Sequence, residues 1–152
     1  MMGTEWIEEK LGAPDIQIHG LQIWVHGRQF PDATDYWDGN WLLVSVRCSA
    51  PGAKVYVDGP IIHLSELAEW SVAAERMHAT LEGKANLACM EPELSVDLTM
   101  ETSDQMIMTV DISPHQRSQK HIFRFELDRS YLPELISGCK KVLDSYPIKS
   151  EP

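Results

Sequence analysis

The sequence predicts an α+β fold: a curved antiparallel β-sheet, a meander, covered by two helices at about residues 65–81 and 130–145. Three observations lead to this class. Apolar residues alternate in several short runs, turn residues separate the runs, and two segments change to helical spacing. The apolar stripes of the helices need a surface to cover, and the sheet would supply it.

The first predicted strands lie in the sequence "DIQIHGLQIWVHG", where Gly20 interrupts the alternation. This favours one bulged strand or two short strands. The next two runs, "NWLLVSVRCSA" and "AKVYVDGPII", both alternate. Pro51-Gly52 lies between them and is typical of a turn, so the two runs predict a hairpin.

Helical spacing first appears after Leu64. We expect a helix with Ser65 as its N-cap and Gly83 as its closing residue. Four more alternating runs follow: "ANLACM", "LSVDLTM", "MIMTVDI" and "HIFRFELD". The segment "DRSYLPELISGCKKVLDSY" then predicts a second helix, with Ser130 as N-cap and one apolar stripe.

Length and charge narrow the possible functions. The 152 residues predict a single domain, 1–152, with an ordered core at about 15–146. The net charge of −10 opposes binding to nucleic acid, because phosphates require clustered Lys and Arg. Residues 1–104 hold 17 acidic and 6 basic residues, a net charge of −11. This surface would attract a basic protein, or it would only keep the protein soluble.

The three cysteines, Cys48, Cys89 and Cys139, are far apart and form no CxxC motif, so we expect reduced thiols. The N-terminal sequence "MMGTEWIEEKLGAPD" has glutamates where a signal peptide would be apolar. No run approaches the roughly 20 apolar residues of a membrane-spanning helix. We therefore expect a cytoplasmic protein without a membrane partner. Strand lengths do not predict an oligomeric state.

The sequence "FPDATDYWDGNWLLVSV", residues 30–46, combines three aspartates with two tryptophans. The aspartates are spaced i, i+3 and i+6, unlike the ligands of an EF-hand, so we expect no metal here. Turn chemistry predicts a structural turn in which Asp and Asn side chains bond nearby backbone N–H groups. The turn residues are Asp38, Gly39 and Asn40. The other acidic and aromatic residues are candidates for partner binding: Asp32, Asp35, Tyr36 and Trp37. The alternative is a solvated loop in which Trp37 folds back on the core.

Motifs for catalysis and cofactor binding are missing from the sequence. The six histidines form no HExxH motif and no zinc quartet, and GxSxG, GxGxxG and GxxxxGK have no match. We therefore expect no enzymatic activity and no cofactor. The alternative is a small-ligand binding domain or cryptic enzyme, with a pocket lined by His and Trp on the concave face of the sheet.

Four motifs in order, "DYWDGNWL", "LSELAEW", "EPELSVDL" and "FRFELDRSYLPELISGCKKVL", resemble the WapI-type immunity proteins of bacterial polymorphic toxin systems and their uncharacterised relatives. The resemblance covers roughly residues 20–143. It implies a protein that binds and neutralises the toxin domain of a cognate effector, and the acidic surface suits a basic toxin. One departure is the sequence Ser103-Asp104-Gln105, which lacks the glycine expected before the next strand.

Overall fold

The computed structural model describes residues 11–152. The expectation of no signal peptide concerns the N-terminal residues 1–15. Residues 1–10 of this segment lie outside the described residues. The described part contains two four-stranded antiparallel sheets. The first sheet consists of β1 (Ile16–Ile18), β2 (Leu21–Arg28), β3 (Trp41–Ala50) and β4 (Ala53–His63). The second consists of β5 (Lys84–Leu87), β6 (Leu94–Met100), β7 (Gln105–Ile112) and β8 (Ile122–Asp128). Helix α1 (Leu64–Thr80) connects the sheets, and α2 (Leu132–Ser145) follows β8.

The α+β class and the antiparallel order of the strands are confirmed, with the strands divided between two sheets. Helix α1 begins directly after β4 and runs for 17 residues, or about 25 Å, before β5 starts. It packs against α2 and β5, while α2 packs against β1. Buried apolar side chains from both sheets and both helices form one cluster. The helices therefore join the two sheets around a shared core.

The first predicted run forms two short strands with a turn at His19-Gly20. His19 adopts a left-handed conformation, with φ of 51°. A Cβ atom on Gly20 would collide with the backbone oxygen of Ser49, because the Gly20 carbonyl accepts a hydrogen bond from Ser49 N at 3.0 Å. The glycine thus allows the β1–β2 turn to lie close to β3. The hairpin predicted from the next two runs is present as β3 and β4.

The N-caps of both helices differ from the prediction. In α1 the cap is His63, whose Nδ1 accepts from Ser65 N at 3.3 Å, while Glu66 Oε1 accepts from His63 N at 2.8 Å. This is a capping box. Before α2, the carboxylate of Asp128 accepts from Ser130 N at 2.9 Å and starts a short 3-10 helix. In both places the serine predicted as the cap is instead the donor, because its backbone N–H is bound by a side chain two residues earlier.

The conformation of the turn between β6 and β7 explains why the sequence Ser103-Asp104-Gln105 needs no glycine. Glu101 N donates to Gln105 O at 2.8 Å, and Thr102 Oγ1 accepts from Gln105 N at 3.1 Å. No residue in this turn has a positive φ. A glycine is not needed here, because L residues adopt these conformations without strain.

Candidate functional site

The acidic loop, residues 30–40, connects β2 to β3 and contains the predicted partner-binding residues and the predicted turn Asp38-Gly39-Asn40. A hydrogen bond from Gln29 N to Trp41 O, 2.9 Å long, closes its base. The end of the loop, Asp38–Asn40, is a 3-10 helix. Gly39 and Asn40 are buried, whereas Asp38 is exposed.

Asn40 is the main anchor of the acidic loop and is completely buried. Its Nδ2 donates to Tyr36 O at 2.7 Å and to Lys149 O at 2.9 Å. Its Oδ1 accepts from Lys149 N at 2.8 Å and from Arg28 Nη1 at 3.2 Å. The side-chain amide therefore uses both its donors and both its lone pairs, which joins the loop to β2 and to the segment after α2.

The segment after α2 holds the loop from a second side. Lys149 Nζ donates to Pro31 O at 2.7 Å and to Ala33 O at 2.9 Å. Arg28 donates to Gly39 O at 2.8 Å and to Pro147 O at 2.5 Å. Each of these two cationic side chains thus donates to two backbone carbonyls, and these contacts hold the loop backbone.

Four aromatic rings support the other side of the acidic loop. Trp37 stacks on His63 with 5.3 Å between ring centroids and 26° between planes. Trp41 makes edge contacts with both rings, and Tyr36 lies 5.3 Å from His63. His63 Nε2 also lies 3.2 Å from Trp37 O. His63 is buried and caps α1, so it connects the loop to that helix.

The candidate partner-binding residues lie together on this loop. Asp32 and Asp35 are exposed, Tyr36 is half-buried, and Trp37 has 46% of its surface accessible. Trp37 therefore packs one side of its ring on His63 and leaves the rest accessible to solvent. An aromatic residue held in this way loses little conformational entropy on binding.

The capping role expected of Asp38 belongs to Asp35. Asp35 Oδ2 accepts from Asp38 N at 2.9 Å, and Asp35 O accepts from Gly39 N at 3.1 Å. Within residues 11–152, the Asp38 carboxylate has no hydrogen bond and no ion pair. Asp38 is the first residue of the 3-10 helix, so the acceptor for its N–H must come from a preceding side chain.

Sites for other chemistry are poorly developed in the part of the chain that the structure describes. There, no group of three or more His, Cys, Asp or Glu side chains is arranged to hold a metal. His26 Nε2 lies 2.7 Å from Ser45 Oγ, but no carboxylate in residues 11–152 bonds to His26. Five concavities have volumes of about 220–520 Å³, and none has a tryptophan in its lining.

One small concavity does collect ionisable groups. Its volume is about 220 Å³, and its lining includes Tyr56, Asp58, Glu93 and His115. Glu93 Oε2 is buried without a hydrogen-bond partner among the described residues. The volume is below the roughly 300–1,000 Å³ of typical ligand sites. This concavity is the best location for the ligand-binding alternative, and it is small for that role.

The thiols are poorly suited to nucleophilic chemistry. Burial raises the pKa of Cys48 from 9.0 to about 12 and does the same for Cys139. Burial also raises the pKa of Cys89, and the carboxylates of Glu66, Glu93 and Glu91 raise it further. All three are free thiols. Because of their raised pKa, these thiols stay protonated near neutral pH. The reactive form of cysteine is the thiolate, so they are weak nucleophiles.

Three residues that support the loop were not predicted from the sequence: Arg28, His63 and Lys149. The histidine lies three residues before Glu66 in the sequence His-Leu-Ser-Glu, and this spacing is a usable capping signal. Lys149 gives no local signal, because its partners lie more than 100 residues earlier in the chain.

Within the described residues, no helix has both the length and the apolar character required to cross a membrane.

Comparison with known protein families gives a match that covers most of the chain. The model of the immunity protein WapI-like family matches residues 13–147. This range includes both sheets, both helices and the acidic loop. No curated protein and no solved structure matches the chain.

Proposed function

The chain belongs to the WapI-like immunity protein family, and from this membership we propose that it binds and neutralises the toxin domain of a cognate bacterial effector. The proposed inhibition is non-catalytic: the protein covers the active surface of the toxin. It would act in the cytoplasm, where the toxin reaches its target.

Family membership carries the proposed function, and the rigid support of the acidic loop carries the choice of this loop as the binding surface. Asn40, Lys149 and His63 hold its backbone from two sides. The loop presents the accessible part of Trp37 beside exposed carboxylates. Aromatic anchors within a charged rim are typical of the centres of protein interfaces, and loops on a rigid scaffold are frequent binding sites.

Charge supports a basic toxin as the partner. Residues 1–104 have a net charge of −11, and Asp32, Asp35 and Asp38 are exposed within it. Complementary charges on two proteins increase the rate of their encounter and orient the approach. The acidic loop would therefore meet a surface of the toxin that is rich in Arg or Lys.

Co-expression with the toxin domain encoded beside this gene tests the proposal. We expect restored growth and a complex that co-purifies. Continued toxicity without complex formation would contradict it.

Two pairs of variants test the site in the same complex. Asp32→Asn with Asp35→Asn should slow association and flatten its dependence on salt, because exposed carboxylates act mainly on encounter. Asp97→Asn with Glu101→Gln removes the same charge from the second sheet and its β6–β7 turn and serves as the control. An equal loss of association rate for both pairs would indicate a general charge effect, not a site.

The aromatic anchor is tested separately. Trp37→Ala should increase the dissociation rate, because the half-exposed indole would be buried in the complex. Val72→Ala changes a comparably exposed apolar residue on α1, with 56% of its surface accessible, and should leave dissociation unchanged. Surface plasmon resonance measures both rates.

A further inference from the structure

A concavity of about 520 Å³ lies at the start of the acidic loop, next to the candidate binding residues. Its lining consists of Gln29, Phe30, Pro31, Asp32, Ala33 and Asp38. The lining therefore combines an aromatic ring and two small apolar residues with two carboxylates. Phe30 has 47% of its surface accessible, so part of its ring can contact another molecule.

The carboxylates at this concavity form no ion pair with the cations of the described chain. Lys149 Nζ is bound to the carbonyl oxygens of Pro31 and Ala33. No ion pair within residues 11–152 includes Asp32 or Asp38. The lysine thus holds the loop backbone by binding carbonyls, and the carboxylates of Asp32 and Asp38 stay available to another molecule.

Resting on the proposed function, we propose that the concavity receives an arginine side chain of the toxin. The guanidinium would lie against the ring of Phe30 and donate to Asp32 and Asp38. Arginine fits better than lysine, because its planar group stacks on aromatic rings and its five donors can serve two carboxylates at once. A metal ion is disfavoured, because the described residues provide no group of three metal-binding side chains.

The assignment gives Asp38 and Phe30 a role in binding that turn chemistry did not suggest. Asp38 is free to bind because Asp35 supplies the capping oxygen for the 3-10 helix. The site is preformed, because Asn40 and Lys149 fix the loop before any partner arrives. A preformed site spends less binding energy on ordering its own side chains and backbone.

An NMR titration of the full chain with the blocked peptide Ac-Gly-Arg-Gly-NH2 tests the assignment without the toxin. We expect saturable shifts of amide signals confined to residues 29–39. The same peptide with citrulline, which has the shape of arginine without the charge, should give no saturable shifts. A lysine peptide should bind more weakly than the arginine peptide. Equal binding of the citrulline peptide, stronger binding of the lysine peptide or shifts located elsewhere would overturn the assignment.

Matched variants locate the site. Asp32→Asn with Asp38→Asn should weaken the arginine peptide about fivefold, as expected for the loss of two exposed ion pairs. Phe30→Ala should also weaken it. Asp97→Asn with Glu101→Gln, which removes the same charge elsewhere, should leave it unchanged. Similar weakening by both charge pairs would overturn the assignment.

The titration and the co-expression experiment fail independently. If the chain protects against the toxin while the arginine peptide shows no binding at the loop, the assignment of the concavity is wrong and the proposed function stands. If the peptide binds as described and co-expression gives neither protection nor a complex, the toxin role is wrong.

Discussion

The substitution Asn40→Ala tests whether one buried amide holds the acidic loop in place. It removes two donated and two accepted hydrogen bonds. Arg28 keeps its bonds to Gly39 O and Pro147 O, so the loss of its bond to Asn40 should reduce stability only slightly. The other three bonds, to Tyr36 O and to the backbone of Lys149, have no substitute in the structure. At a net value of about 1 kcal/mol each, the free energy of unfolding should fall by about 2–3 kcal/mol.

Urea denaturation followed by far-UV circular dichroism measures this loss. Lys149→Met is the matched control, because it removes the ammonium group but retains the backbone bonds to Asn40. Its two lost bonds lie on carbonyls near the surface, where water can replace the ammonium, so we expect a loss below about 1 kcal/mol. A loss below about 0.5 kcal/mol for Asn40→Ala, or an equal loss for both variants, would refute the anchoring role of Asn40.

Other predictions follow from the helix ends, the thiols and the close contact of α2 with β1. His63→Asn keeps a good N-cap, and His63→Ala does not, so the alanine variant should unfold more easily by about 1 kcal/mol in a urea titration. Because burial raises the pKa of Cys48 and Cys139 to about 12, their contribution to stability is complete below pH 9 and falls between about pH 9 and 12. The urea midpoint should drop across that range, and native thiols should react slowly with iodoacetamide at pH 8. Gly138→Ala places a Cβ 2.7 Å from a backbone oxygen of the neighbouring segment and should lower the melting temperature, whereas the exposed control Ser137→Ala should not.

Local patterns in the sequence predicted the strands and helices well. The alternation in "LSVDLTM" and "MIMTVDI" corresponds to β6 and β7, whose residues are buried in the same alternating order. The stripe in the last helix corresponds to the buried residues of α2. These signals depend on neighbours within a few positions, which a single sequence contains completely.

Contacts between distant segments were beyond such patterns. The expected core ended at about residue 146, yet Lys149 makes hydrogen bonds with Asn40, Pro31 and Ala33. Nothing in the local sequence around Lys149 differs from an ordinary polar segment. The division of the strands into two sheets has the same origin, because it depends on where α1 directs the chain after β4.

The roles of the aspartates in the acidic loop follow from which residue lies before the 3-10 helix. In the sequence Asp35-Tyr-Trp-Asp38, the first carboxylate can reach the N–H three residues later, and the second cannot cap its own nitrogen. The Asp35 carboxylate therefore contributes both negative charge and a hydrogen bond that shapes the loop, whereas the Asp38 carboxylate contributes only charge. Asp35→Asn keeps an oxygen for the cap and changes only the charge, whereas Asp35→Ala changes both. A binding defect found in Asp35→Ala and absent from Asp35→Asn would come from loop geometry, and a defect in Asp38→Asn would come from charge alone.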